Sequence, residues 1–332
     1  MKRAFLAILF VMCFAPLSAR AVTIIKPPAL GISGYTQFGY TRDSSTTLAP
    51  ANNYNRDDSF RLVKSRLTFK GDIDPMVAVN LQIDIADSSV NGNNKLLTDA
   101  YFDLKYLKGH IVRLGQFKIP FGLENPIPDS RLYPISNSYI KGVSGKLLNS
   151  RDIGIDVSAK TDKIEYHASI INGNGPNTAA DNNSSKDLIL SVRGSVASRL
   201  QIGGSLMAPG KTTPAAQVTF RRAVDGFIYY TPPAGDVSFE YISGRAPVTS
   251  LKEYAWYLLA TPKLNDRTWL VLRYDKFDPN KAATNNTASR TTFGLLYKTS
   301  KYSLVKVNYE WRNDKTVTND NNAFKALWQV EY

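Results

Sequence analysis

Lys64, Arg66, Thr68 and Lys70 repeat at a spacing of two. On an extended chain that spacing puts their side chains on one face, roughly 7 Å apart. Fixed positive charges at such an interval concentrate anions and repel cations, and a guanidinium can grip a phosphate through two parallel hydrogen bonds. Arg113, Arg193, Arg273 and Lys306 fall on the same side of other alternating stretches, and Lys118 stands where the longest connection begins. Arg131, Lys141 and Lys146 lie inside that connection. The same face also carries Asp84, Asp99, Asp103, Asp156, Glu240, Asp275 and Glu310. Two readings stand side by side: a basic selectivity row, or a balanced hydrated lining in which each cation meets a carboxylate.

Enzyme chemistry finds little to work with. His110 and His167 are the only histidines, one in a tight turn and one in a strand, and neither sits in a serine or cysteine nucleophile motif. Gly210-Lys211-Thr212 resembles the end of a phosphate loop, but position 205 is Ser205 where a glycine is required, and Pro209 intrudes. One cysteine, Cys13, supports neither a disulfide framework nor, with two histidines, a zinc site. We expect no catalytic residue, no metal and no cofactor.

The chain has 332 residues, 43% of them hydrophobic and 21% charged, with 41 Lys+Arg against 28 Asp+Glu. Its aromatic content of 11% is too high for a disordered chain. The long apolar run is confined to the start. Met1-Lys2-Arg3 precedes an apolar core over residues 4–15, Pro16 ends it, and Ala19-Arg20-Ala21 offers small residues at a cleavage site. That is the pattern of a secretory signal, residues 1–21. Residues 22–30 would then form a periplasmic segment and residues 31–332 the folded domain. Removing Lys2, Arg3 and Arg20 from the net +13 leaves +10. An exported chain does not meet nucleic acid, so the surplus serves an anionic surface, an anionic solute or solubility.

Something must hold the basic row in place, and the period of the sequence says what. Helical spacing is lacking; apolar residues recur at every second position instead. Val77, Val79, Leu81, Ile83 and Ile85 form the cleanest run. Leu188, Leu190 and Val192 form another, as do Val305, Val307, Tyr309 and Trp311, and the last stretch carries Phe324, Ala326, Trp328, Val330 and Tyr332. A soluble sandwich would alternate too. Two features favour a membrane barrel. Bulky aromatics fall near strand ends on the apolar face, at Tyr40, Phe69, Tyr106, Tyr166, Tyr241, Trp256, Tyr274, Trp311 and Trp328, as interfacial girdles require. Connections also alternate between short turns, such as 107–109, 161–163 and 197–199, and long Asn/Ser/Gly-rich loops, such as 43–58, 87–95 and 172–186. Sixteen strands result, give or take two. The fold expected is all-β: a transmembrane antiparallel β-barrel. Its longest connection, 119–150, is the third outer loop, stiffened by Pro120, Pro126, Pro128 and Pro134 and expected to turn inward as a constriction.

Leu114-Gly115-Gln116-Phe117-Lys118-Ile119-Pro120-Phe121-Gly122-Leu123-Glu124 resembles the signature of the phosphate-selective porin O and P family. Arg151-Asp152-Ile153-Gly154, Asn172-Gly173-Asn174-Gly175, Arg273-Tyr274-Asp275 with Asp278, and Thr98-Asp99-Ala100-Tyr101 are similar to further family elements, in the family's order. The resemblance implies a trimeric, sixteen-stranded, anion-selective porin of the Gram-negative outer membrane. It implies small anions, phosphate or polyphosphate among them, as cargo. Its partners would be outer-membrane lipids, the barrel assembly machinery and two further copies of itself. The dense arginine ladder of phosphate-specific members is missing between Pro126 and Ser150. The alternative function is a non-conducting barrel that displays its loops as an adhesin or receptor.

Overall fold

A computed structural model describes residues 30–43, 58–86, 96–140, 150–178, 181, 185–208, 222–245, 251–315 and 322–332. The expected signal and nearly all of the segment after it lie outside these residues. The strands are β1 (Gly31–Asp43), β2 (Ser59–Asp74), β3 (Val77–Asp84), β4 (Leu97–Leu104), β5 (Ile111–Lys118), β6 (Arg151–Lys160), β7 (Ile164–Ile171) and β8 (Asp187–Ala197). They continue with β9 (Leu200–Ala208), β10 (Arg222–Tyr230), β11 (Gly235–Arg245), β12 (Lys252–Asn265), β13 (Thr268–Asp278), β14 (Ala288–Lys298), β15 (Ser303–Asp314) and β16 (Ala323–Glu331). Each pairs antiparallel with its neighbours in sequence, and β1 pairs with β16, so the sheet closes. Closure leaves no unpaired edge, which is the condition for a sheet to stand in hydrocarbon. At the seam the Gly34 N–H donates to the Tyr332 carbonyl at 2.7 Å, and the Tyr332 N–H returns the bond to Gly34 at 3.0 Å.

The two faces of the wall separate as the alternation requires. Leu188, Leu190 and Val192 of β8 are exposed on the outside while Ile189 and Ser191 between them are buried inside. On β15, Tyr309 and Trp311 point outward, and Lys306, Asn308 and Glu310 point into the barrel. The outward aromatics meet in rows: Tyr40 packs on Phe60 and Phe324, Tyr241 stacks on Tyr254, and Trp256 sits between Phe239 and Tyr274. Amphipathic rings of this kind suit the level where acyl chains give way to headgroups.

One expectation of parity fails locally. Uninterrupted alternation puts Val63 on the lipid side with Leu67. In the structure Gln37 pairs with Lys64 and Phe38 with Leu62, so Val63 is the extra residue of a β-bulge. The bulge shifts the faces by one, which is why Phe60 is outward although Lys64, four residues on, serves the inner face.

The lipid face is thus one of exposed Leu, Val and aromatics, and its chemistry can be tested. Leu190→Lys on the outer face of β8 is expected to lower unfolding stability in lipid vesicles by about 2–4 kcal/mol, whereas Gln201→Lys on the inner face of β9 costs about 1 kcal/mol or less. Denaturant titration of both variants checks it; equal losses would mean that the outer face does not meet hydrocarbon.

Candidate functional site: the barrel lumen and its inner loop

The connection between β5 and β6 begins with the motif singled out above, and its geometry explains the residue types. Gly115 has φ +131°, and a Cβ there would lie 2.2 Å from the Ala100 carbonyl oxygen of β4, so only glycine fits. Phe117, Ile119 and Phe121 are buried together with Tyr139 and Ile140 of the same connection. They cluster with Ile171, Ile189, Met207, Ile242 and Tyr257 from the inner faces of β7, β8, β9, β11 and β12. Lys118 turns to its own loop and donates to the carbonyls of Asn125 (3.3 Å) and Ile127 (2.6 Å). Gly122 has φ +71°, and its Cα lies so near the Glu240 carboxylate that a Cβ would stand 2.2 Å from an oxygen. That carboxylate accepts from the Leu123 N–H (2.8 Å) and the Glu124 N–H (3.0 Å), while the Glu124 side chain accepts from the Ser138 N–H at 2.8 Å.

From there the chain is held to lumen-facing side chains around the barrel. The Gly122 N–H donates to Ser205 Oγ of β9 at 2.9 Å, and the Ile135 N–H to Asn308 Oδ1 of β15 at 2.7 Å. Tyr139 N–H reaches Asp275 Oδ1 of β13 at 3.1 Å, and Tyr133 donates its hydroxyl to Asp236 of β11 at 3.1 Å. Burial and the Asp236 charge push the Tyr133 hydroxyl up to about 12, so it stays a donor throughout the physiological range. Asp129 bonds Arg66 of β2 at 2.9 Å, and Gln329 of β16 donates to the Ser130 carbonyl at 3.2 Å.

The cations read from the sequence divide into two groups. Arg66, Arg273 and Lys306 are buried, between 1% and 5% exposed, and serve the loop. Arg273 donates to the carbonyls of Ser136 (2.9 Å) and Asn137 (3.2 Å), and Lys306 donates to that of Leu132. Arg66 and Lys64 share Asp84 at 2.9 and 3.2 Å, and Arg113 forms a two-pronged pair with Asp103 at 2.8 and 2.9 Å. For these residues the balanced lining is the geometry found. Lys70 and Arg193 are different: among the described residues neither has an ion pair, and Arg193 lies over the Phe227 ring at 5.7 Å. Arg131 is exposed within the loop. Lys141 and Lys146 lie outside the described residues.

Several charged groups escaped the sequence reading. Arg290 of β14 bonds Asp275 (3.2 Å) and the Asn137 carbonyl (2.6 Å), and its guanidinium lies over the Tyr139 ring at 4.7 Å. Arg312 and Lys325 converge on Glu310 at 2.5 and 3.3 Å, and Arg151 pairs with Asp99 at 2.7 Å. Parity alone places Arg290, Arg312 and Lys325 on the wet face, and that signal could have found them. Their loop partners, the Asn137 carbonyl for Arg290 and the Ser136 hydroxyl for Lys325, are groups that no sequence pattern marks.

Under the loop, toward the short-turn end, a cavity of about 670 Å³ opens between the loop and β8–β16. Leu132, Tyr133 and Pro134 roof it, and Arg193, Trp269 and Lys298 stand on its wall.

Comparison with known proteins fits this picture. Residues 36–228 match the family described as phosphate-selective porin O and P. No curated protein sequence matches the chain. Among solved structures, the chain is similar to the outer membrane protein OmpT of Vibrio cholerae with loop L8 deleted, with a TM-score of 0.66 at 14% identity over 92% of this chain and 100% of that one. It is also similar to an anion-selective porin from Comamonas acidovorans, at TM-score 0.65 and 12% identity, with 92% and 100% covered. A third is the outer membrane channel DcaP of Acinetobacter baumannii, at TM-score 0.64 and 12% identity, with 92% and 98% covered. At such identities the likeness concerns the fold. The family match spans more than half of the chain and falls on a closed barrel with apolar outside and charged inside: the chain belongs to the phosphate-selective porin O and P family and is a porin of the Gram-negative outer membrane.

Proposed function

We propose that this porin passes small hydrated anions by passive diffusion, phosphate or polyphosphate among them, and that the loop over residues 119–150 is its constriction. The observation that carries the reading is the state of the lumen cations. Carboxylates take up Arg66 and Arg113 at ion-pair distance, while Lys70 and Arg193 form no such pair among the described residues, Arg193 facing Glu165 across the β7–β8 ladder. Charges of one sign inside low-dielectric walls raise the local concentration of the opposite ion. The anion-selective porin from Comamonas acidovorans shares the fold, which supports the same preference here. Lys64, Arg66, Arg113, Lys118, Arg273 and Lys306 act in this proposal as fixed charges held by carboxylates or by the loop, and Lys70, Arg131 and Arg193 as the cations nearest the water path.

The rest of the reading follows from membership and from the sequence. Residues 1–21 direct export and are removed, the assembly machinery inserts the barrel, and three copies associate within outer-membrane lipid. The protein is a channel and carries out no covalent chemistry.

A salt-gradient reversal potential of the purified protein in a planar bilayer tests the central claim. Anion preference is expected, and cation preference would overturn it. Absence of conductance steps would favour the non-conducting barrel that displays its loops. Lys70→Glu with Arg193→Glu should lower the anion-to-cation permeability ratio by about twofold or more. An unchanged ratio removes both from the selectivity row. Arg273→Ala is expected to act through the loop: each charge-assisted bond lost to Ser136 or Asn137 costs about 1.5–3 kcal/mol. Single-channel records of that variant should show new conductance substates. A steady wild-type level would mean that the loop does not depend on Arg273.

A further inference from the structure

The cavity beneath the loop breaks the rule that governs the rest of the lumen. The inward positions of a water-filled barrel are polar. Here Leu259, Trp269, Leu296 and Leu304, from four consecutive strands β12 to β15, all line this half-open space, and Leu132 borders it from the loop. Trp269 pairs with Leu296 across β13 and β14, so ring and side chain lie on the same face. Nothing about closing the barrel asks for apolar groups at these positions.

Cations rim the same space. Lys298 lies with Nζ 4.8 Å from the centre of the Trp269 ring, and Arg193 and Arg131 face the cavity from β8 and from the loop. Of the acids nearby, Asp236 is occupied: the hydroxyls of Tyr133 (3.1 Å) and Tyr229 (3.0 Å) both donate to it. The Glu331 carboxylate accepts from Gln329 at 2.9 Å, and Glu124 from the Ser138 amide. The carboxylates are therefore turned to neighbours in the protein. Lys298 bonds no carboxylate among the described residues and meets only an aromatic face.

An apolar, aromatic floor beside cations fits one kind of solute. We infer that this cavity is a binding site for aromatic carboxylates, which dwell there on their way through the pore. The ring would lie against Trp269 and the leucines, displacing water from apolar surface. The carboxylate would meet Lys298, beside the Trp269 ring, through a charge-assisted bond, with Arg193 on the far wall adding a longer-range attraction. A volume of about 670 Å³ lies within the range of small-molecule clefts. The inference rests on the anion-porin reading for its transport role, but not for binding itself.

Benzoate is the probe, with acetate as the same head without the ring and inorganic phosphate as the competing anion. In single-channel recordings benzoate should interrupt the current with dwell times about tenfold longer than acetate, which corresponds to about 1.4 kcal/mol. In calorimetry on the detergent-solubilised protein benzoate should give a saturable heat that acetate does not. Trp269→Ala should bring the benzoate-to-acetate ratio close to one. Lys298→Gln, which keeps a long polar side chain beside Trp269 and removes the charge, should shorten benzoate dwell several-fold. Equal dwell and heat for benzoate and acetate would overturn the inference while anion preference stood. Saturable benzoate heat lost in Trp269→Ala, in a protein that prefers cations, would uphold the site and overturn the anion-porin reading instead.

Discussion

Hydrocarbon offers no partner to a peptide group, and every other feature of this porin follows from that. A sheet immersed in it must pair its first strand with its last, and the exchange between Gly34 and Tyr332 at the β1–β16 seam meets that demand. Once the sheet is closed, each strand has one greasy face and one that encloses space. Outside, Leu190, Trp311 and Trp328 need nothing more than acyl chains and headgroups. Inside, charged groups of both signs stand a few ångströms apart, many of them buried beneath the loop. The lumen is where energy is concentrated, and where specificity has to be built.

The loop resolves that concentration of charge. Isolated ions behind a protein segment would be costly, so they appear in opposite-sign sets: Arg66 opposite Asp84, Arg290 opposite Asp275, Arg312 and Lys325 on Glu310. Loop carbonyls take further donors from the inner wall: Leu132 from Lys306, Ser136 from Arg273 and Asn137 from Arg290. An apolar patch of Phe117, Ile119, Phe121 and Ile140 supplies the water-excluding part of the same attachment. The loop therefore has two kinds of anchor, one directional and one not. Directional bonds set its position, and burial makes leaving it costly. A lysine or arginine used in this way is a strut, and counting it as a selectivity charge would overstate the positive field.

The family motif reads as a mechanical part for the same reason. Its glycines stand where a side chain would collide with the Ala100 carbonyl or the Glu240 carboxylate; its aromatics enter the inner apolar patch; its lysine ties the turn to its own carbonyls. None of these residues needs to touch a solute. The motif shapes how the chain turns back along the inner wall after β5.

Much of this was legible in the order of residues, for a definite reason. Alternation with period two has one cause in a closed sheet, a different solvent on each face, so Val77 to Ile85 or Val305 to Trp311 reveal both strand and orientation. Long and short connections reveal the two ends of the barrel, and strand ends fell at the expected places, Lys118 before the long loop and Arg151 after it. The bulge at Val63 was not legible, because an extra residue in a ladder is decided by the register of its partner strand, here Gln37 and Phe38. Nor was the division of the cations. Lys70 and Lys306 are equivalent as letters on the wet face. Only the folded loop, bringing the Leu132 carbonyl to Lys306 while among the described residues Lys70 forms no ion pair, tells the two apart. Local pattern determines which face a side chain takes; contacts between residues far apart in the chain determine what it meets there, and that is a property of the closed barrel alone.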